Sequence, residues 1–346
     1  MRCPDGSNNV GYAAVYWEDT TMKAFTAVAR VLVTSLLIVY AGVSAAQQAY
    51  PTRPMHIIVL FPPGGSNDII ARLIGPKLTE AWGQPVIVDN RPGGSGVIGT
   101  MELVKAPPDG HTMLVASSGL VIAPMMAKVP YDVIRDFAPV ATICLTDNVV
   151  VIGPAVPANN LREFIALAKA NPGKLNFGSS GTGSSLHLAA ELFVQTAGIK
   201  MQHVPYKGAM PVITDLMGGQ VQMFVAPPIV VLPYVSSGRL KALAVSGKAR
   251  NAALPQVPTF AEAGLPGLKI GGWQGLFVPA ATPRAIVDKL AAEIGRIVVS
   301  PDINKTLVSQ GYLPLVSTPV QFAAMVKEDM VKYANIIKTA NIKIEE

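Results

Sequence analysis

Two glycine turns are the places in this chain where residue type and spacing point to chemistry. In "VLFPPGGSNDIIARLIG", the apolar run His56 to Phe61 reads as a buried strand, and Pro62 to Gly65 end it. Ile70, Leu73, Ile74 and Leu78 then recur at helical spacing, so the turn sits at a helix N-terminus. The first N–H groups of a helix have no internal partner and lie at the positive end of its dipole, which suits an anion without any charged side chain. In "LNFGSSGTGSSLHLAAELFVQTAG", a strand from Leu175 to Ser180 ends in Gly181, Thr182 and Gly183. Ser184 or Ser185 is a good N-cap for a helix that buries Leu186, Ala189, Ala190, Phe193, Val194 and Ala197 and closes at Gly198. Hydroxyls flank this second turn and can donate to carboxylate oxygens. Either turn alone is equally an ordinary strand-to-helix connection; as a pair they suggest opposed jaws on one anion.

Such jaws need sheets to carry them. Strand-like runs alternate with helical patterns, the mark of α/β layers with mixed, mostly parallel sheets. A first block holds "HIIVLF", a helix from Asn67, "PVIVDN", a further turn "RPGGSGVIG", a helix to Lys105 and the strand "TMLVAS". A second block runs through a helix at Leu161 to Ala170, "LNFGSS", "MQHVPY", "VQMFVAP" and "LKALAVS" with helices between. Long apolar runs at Pro139 to Pro154 and in "LKIGGWQGLFVPA" read as crossings between domains. The C-terminal helix has Phe322, Met325, Val326, Tyr333, Ile336 and Ile337 on one face and is expected to pack back on the first block. The expected division is a discontinuous domain of residues 50–149 plus 272–346, a second of 150–271, and a cleft between them. Ligands of open α/β sheets lie beyond the carboxyl ends of the strands, where both turns fall.

The chain has 346 residues, 50% hydrophobic and 14% charged, enough to bury a large core. "MKAFTAVARVLVTSLLIVYAGVSAAQQA" has Lys23 and Arg30 before an uncharged run from Val31 to Val43, followed by small residues. That reads as a secretory signal peptide over 22–46, with Met22 the start and 1–46 absent from the mature protein. Residues 1–46 carry three basic and three acidic side chains, so the net charge stays at +6. No arginine-rich stripe accompanies it, which leaves nucleic acid unsupported and anionic solutes favoured. Cys144 is then the sole cysteine, in an apolar run, and reads as core. His56, His111 and His203 show no metal spacing, so no metal and no cofactor are expected. Asp68, in a helix's first turn, reads as a dipole partner in a supporting role; His187 as a packed or capping histidine that can also reach the ligand; Trp273 as a cover for the ligand or a filler of the hinge.

These residues resemble a known family. "YPTRPMHIIVLFPPGGSNDIIAR", "GQPVIVDNRPGGSGVIG", "PPDGHTMLVASS", "LNFGSSGTGSSLHLAAELF", "HVPYKGAMPVITDLMGGQVQMFV", "LPQVPTFAEAGLPG" and "WQGLFVPAATP" are similar, in order and over about 50–346, to the Bug receptors, the periplasmic substrate-binding components of tripartite tricarboxylate transporters. The resemblance implies a two-domain, type II-like periplasmic binding fold that closes like a Venus flytrap on a small carboxylate. It implies that Phe61, Pro63, Gly64, Gly65 and Ser66, with Ser179, Ser180, Gly181, Thr182, Gly183, Ser184 and His187, hold that carboxylate, and that Ser117 and Ser118 line the cleft. At Val225 many members carry an Asp that pairs an amino-bearing ligand, so an amino-acid ligand is disfavoured. Pro76 stands in the first helix where a charged residue is usual and implies a bend; His111 replaces a common Tyr. The partners implied are the carboxylate and the membrane permease subunits, and the receptor is expected to be monomeric and not an enzyme. An exported α/β hydrolase is the rival reading, and no G-x-S-x-G elbow supports it. A sensory or scaffold binding protein without transport shares the same cleft.

Overall fold

The computed structural model describes Met1, residues 50–266, Leu268 and residues 270–339. The signal-peptide expectation falls on residues outside these. Met1–Thr52 and Arg53–Glu346 form separate units, and everything below concerns the second.

Two β-sheets organise it. The first has six strands in the order β11-β4-β10-β3-β1-β2, where β1 is Met55–Val59, β2 Val86–Asn90, β3 Thr112–Ser117, β4 Phe137–Thr146, β10 Gly272–Pro279 and β11 Tyr312–Pro314. The second has five in the order β7-β6-β8-β5-β9, with β5 Val149–Ile152, β6 Asn176–Ser179, β7 Gln202–Pro205, β8 Met223–Ala226 and β9 Lys241–Val245. Strands such as "VVVI" of β5 are buried at every residue and need no alternation, because both sheet faces are covered.

Parallel pairing holds where helices connect neighbours: β1 with β2 and β3, and β6 with β7 and β8. The strands that pass between sheets run antiparallel instead, β10 against β3 and β4, and β5 against β8 and β9. The sheets are therefore more evenly mixed than the sequence pattern suggests. A chain that leaves one sheet and returns to it re-enters from the opposite end. Only Asp147 and Asn148 separate β4 from β5, and the return runs from Val245 to Gly272.

Helices complete each lobe: α1 Ser66–Trp82, α2 Val97–Lys105, α3 Gly119–Met126, α4 Val133–Asp136, α5 Leu161–Ala170, α6 Ser185–Thr196, α7 Ala209–Met217, α8 Pro228–Ser236, α9 Arg284–Val299, α10 Pro301–Ser309 and α11 Pro319–Thr339. Sequence reading missed α3, whose "GLVIAPMM" is apolar all round and carries a proline, so no helical periodicity shows. It also missed the short strand β11. Helix α1 runs on past Pro76 without interruption. Helix α11 buries Phe322, Val326, Tyr333 and Ile337 in the core of the six-stranded lobe, beside Trp273 and Phe277. Cys144 is fully buried there with its thiol unpaired, and burial pushes its pKa well up.

Candidate functional site

A cavity of about 70 Å³ lies between the lobes, room for roughly five waters at 10–15 Å³ each. Five helices begin on its wall. Gly65 to Asp68 open α1, Ser118 precedes α3, Ser185 and Leu186 open α6, Ala209 opens α7 and Pro227 precedes α8. Each positive pole carries about half an elementary charge, so their convergence makes the cavity anion-seeking. Among the described residues its lining contains no Lys, Arg or His, and Asp68 is the one ionisable carboxylate.

At the first turn, Gly64 takes φ +85°, a left-handed conformation that glycine adopts without a Cβ penalty. Its N–H donates to Asp68 Oδ2 at 2.9 Å, while Asp68 Oδ1 accepts from Arg72 Nε at 2.9 Å and Asn90 Nδ2 at 3.0 Å. Burial works to raise the Asp68 pKa, but these donors outweigh it and hold the carboxyl below its ordinary value. Asp68 thus holds the loop in shape, as a supporting residue. The Ser66 hydroxyl meets Tyr312 OH and accepts from Gln274 Nε2 at 2.9 Å. The N–H groups of Ser66, Asn67 and Asp68 are the unpaired donors of this helix end.

The second turn is arranged differently from its expectation. Gly183 N–H donates to His187 Nδ1 at 3.2 Å, Gly181 N–H to Ser179 Oγ at 3.2 Å, and His187 N–H to Ser184 Oγ at 3.1 Å. These groups satisfy one another and leave Ser185 and Leu186 as the unpaired N–H donors facing the cavity. Ser185 is a residue the sequence reading weighed only as an alternative cap, and spacing gave no way to rank it above Ser184.

Of the expected ligand residues, the structure brings together Phe61, Gly65, Ser66, Ser117, Ser118 and Ser180 around the cavity, with Asp68 and Trp273 on its wall. It does not bring in Pro63, which is exposed, or Val225, which is fully buried in β8 opposite Val150 within the core of its lobe. Gly181 and Thr182 line a neighbouring cavity of about 270 Å³, facing Gly93 to Gly96 of the "RPGGSGVIG" turn. Gly64, Ser179, Gly183, Ser184 and His187 are not among the residues that line the cavity. Sequence reading missed Asn148, Pro227 and Gln274, because each belongs to a strand end or crossing whose position only tertiary structure fixes, and it placed Leu186 on the buried face of its helix instead of at the cavity. Trp273 combines both readings: it lines the cavity and fills the crossing, with Nε1 donating to Asp329 Oδ2 at 2.8 Å and its ring edge-on to Phe322.

Behind the second turn, the rings of His187 and His203 stack at 3.8 Å, and Ser179 Oγ lies 2.7 Å from His203 Nε2. Burial, reinforced by His187, lowers the His203 pKa to about 3. Between that value and the ordinary 6.5 the unfolded chain binds the extra proton, so stability is complete above pH 6.5 and falls as pH drops towards 3. The expected loss is below about 1.4 kcal/mol per pH unit, because water screens the partly exposed ring. His203→Phe should flatten urea-unfolding free energies over this window; an unchanged slope would show that His203 does not stay neutral in the folded chain.

Residues 70–342 match the model of the tripartite tricarboxylate transporter family receptor. The chain is 35% identical to Protein BugT of Bordetella pertussis over 90% of its own length and 98% of that protein's. Among solved structures it is similar to R. palustris Rpa4515 with adipate, at 32% identity and a TM-score of 0.82, covering 84% of this chain and 98% of that one. MatC from Rhodopseudomonas palustris with bound malate gives 30% identity and a TM-score of 0.79, covering 83% and 100%. With its two sheets, its interlobe cavity and these likenesses, the chain belongs to the tripartite tricarboxylate transporter receptor family, solute-binding proteins of the periplasmic binding fold.

Proposed function

We propose that this protein captures a small organic carboxylate between its lobes in the periplasm and presents it to the membrane subunits of a tripartite tricarboxylate transporter. The observation that carries this reading is the convergence of five helix N-termini on one cavity, with no cationic side chain among the described residues that line it. Unpaired N–H groups of Ser66, Asn67, Ser185 and Leu186 act from opposite lobes, and the hydroxyls of Ser180 and Ser185 stand beside them. Hydrogen bonds to a charged acceptor contribute about 1.5–3 kcal/mol each, so a carboxylate reached by both lobes stabilises the closed form. The adipate and malate held by the two related structures support the ligand class. The lobes correspond to residues 50–149 plus 272–346 and to 150–271, joined by the crossings at Asp147–Asn148 and before Gly272, and the receptor acts as a monomer.

The serine and histidine that a hydrolase reading needs do meet, at Ser179 and His203, but Ser179 is fully buried and is absent from the cavity wall. The ligand is therefore recovered unchanged. A thermal-shift screen of organic acids against their neutral amides tests the proposal. Ligand at a hundredfold excess over Kd stabilises by about 2.7 kcal/mol, a rise of several degrees in Tm for the acid and none for the amide. Equal shifts for acids and amides, or none for any acid, would defeat the reading.

A further inference from the structure

A residue that does not line the cavity reaches a hydroxyl that does. Tyr312 opens β11, the edge strand of the six-stranded sheet, and its side chain is buried. It stands opposite Thr146 of β4, while Gln274 of β10 stands opposite Cys144, two residues back along β4. Residues two apart on a strand, and those directly across from them, share one sheet face. Tyr312 and Gln274 therefore rise on the same face from either side of β4, and Ser66 is where they meet. Ser66 Oγ accepts from Gln274 Nε2 at 2.9 Å and is hydrogen-bonded to the Tyr312 hydroxyl. Asn251 steadies the entry to the strand, its Nδ2 donating to Gly311 O at 2.9 Å. Ser66 and Gln274 line the cavity and Tyr312 does not.

Chemistry sets the direction of the bond between the two hydroxyls. A phenol is more acidic than an aliphatic alcohol, so it is the better donor and the poorer acceptor of the pair. Among the described residues Ser66 is the one hydrogen-bond partner of the Tyr312 hydroxyl, and a phenol proton turned elsewhere would be buried without an acceptor. Burial also lifts the phenol well above its ordinary pKa, so the proton is there to donate. Tyr312 thus donates to Ser66 Oγ. With Gln274 Nε2 on the second lone pair, the Ser66 proton remains, and the cavity that Ser66 lines is where an acceptor arrives. Were the Gln274 amide turned over, its oxygen would compete for that proton, and an ionised carboxylate is the stronger acceptor. Donation by Tyr312 is the same in both orientations.

Resting on the carboxylate reading above, we infer that Tyr312 is a positioning residue for the ligand: by donating to Ser66 Oγ it aims the Ser66 proton at the bound carboxylate. A hydroxyl that accepts one hydrogen bond donates more strongly in the next, so the relay from Tyr312 through Ser66 strengthens the contact as well as aiming it. Ser66, the first residue of α1, then offers the carboxylate its main-chain N–H and its hydroxyl together. In Tyr312→Phe the ring stays in place, but the Ser66 hydroxyl turns more freely and gives up rotational freedom when the ligand binds.

A double-mutant cycle on affinity tests this. Calorimetric titration of the mature protein at pH 7.5 with butyrate, succinate, malate and adipate selects the tightest of the four as the probe. Tyr312→Phe and Ser66→Ala are each expected to weaken its binding by about fivefold or more. Added to Ser66→Ala, Tyr312→Phe should change affinity by less than about twofold, because the hydroxyl through which Tyr312 acts is gone. A tyrosine that only packs gives the same loss in both backgrounds. That result, or affinity left undiminished by either single substitution, overturns the inference while leaving the carboxylate receptor intact. Binding of none of the four acids overturns the carboxylate reading itself and this inference with it.

Discussion

Gly183→Leu is expected to weaken carboxylate binding at least a hundredfold, with the protein still folded. The reason is the seam between the lobes. A Cβ on Gly183 would stand 3.3 Å from Met126 Cβ, at the end of α3 on the opposite lobe. The pattern repeats along the seam: Gly64 faces Met210 Cγ at 3.3 Å, Gly208 faces Pro62 Cδ at 3.1 Å, and Gly181 faces Ser95 Oγ at 2.9 Å. Closure brings glycine of one lobe against side chain of the other, so a leucine wedges the lobes apart and separates helix ends that act together. Gly183 also has φ +75°, and an L-residue there costs about 1–2 kcal/mol by itself. Gly198 separates the two effects, since it has φ +63° and open space where a Cβ would go. Gly198→Leu should lower Tm by the strain alone and leave titration curves as in the wild type. Calorimetry and thermal unfolding on both variants check this. Equal affinity in Gly183→Leu and Gly198→Leu would mean that the seam does not govern binding.

The reason for that expectation differs from the one the sequence suggests. Spacing placed a glycine turn before a helix at both Gly64–Gly65 and Gly181–Gly183, and both helices start there. Local pattern was sufficient because a strand ended by glycine and a capped apolar helix are set within about twenty residues. Which N–H groups stay free was not legible. His187 and Asp68 each turn back and occupy a glycine N–H, and a side chain's choice between its own loop and a ligand depends on what packs behind it. The ring of His203, from a strand more than fifteen residues on, holds His187 in place. Asn148 and Gln274 were invisible for the same reason. Their positions follow from β4, β5 and β10 meeting at the crossings, and nothing in "LTDNVV" or "GWQGLF" marks a ligand wall. The resemblance to a family carried the overall architecture; it also put Val225 at the ligand, where this chain buries it in its own lobe.

Asp68→Ala is expected to destabilise the fold by about 2–4 kcal/mol, because it leaves the Gly64 N–H and one of the two Asn90 amide N–H groups without an acceptor in a largely buried place. The same change loosens the loop that aims the first helix end. Asn90 Nδ2 also donates to Phe61 O at 3.0 Å, so one carboxylate, one amide and one carbonyl tie β2 to the turn. Carboxylate affinity should fall by about tenfold as that tie goes, even though a negative charge is removed from the wall of an anion site. Repulsion is small in the wild type because Arg72 and the Gly64 N–H already neutralise the Asp68 oxygens. The acid side of the stability profile supplies an independent readout. Asp68 has a folded-state pKa below its ordinary value, so its contribution is complete above the unfolded carboxyl pKa and is lost as pH falls through the folded one. Wild type should therefore lose stability below about pH 4 more steeply than Asp68→Ala, in a window acid of the one where His203 acts first. Parallel acid limbs in urea titrations of the two proteins, or stronger carboxylate binding by Asp68→Ala, would mean that Asp68 opposes the ligand instead of shaping its loop.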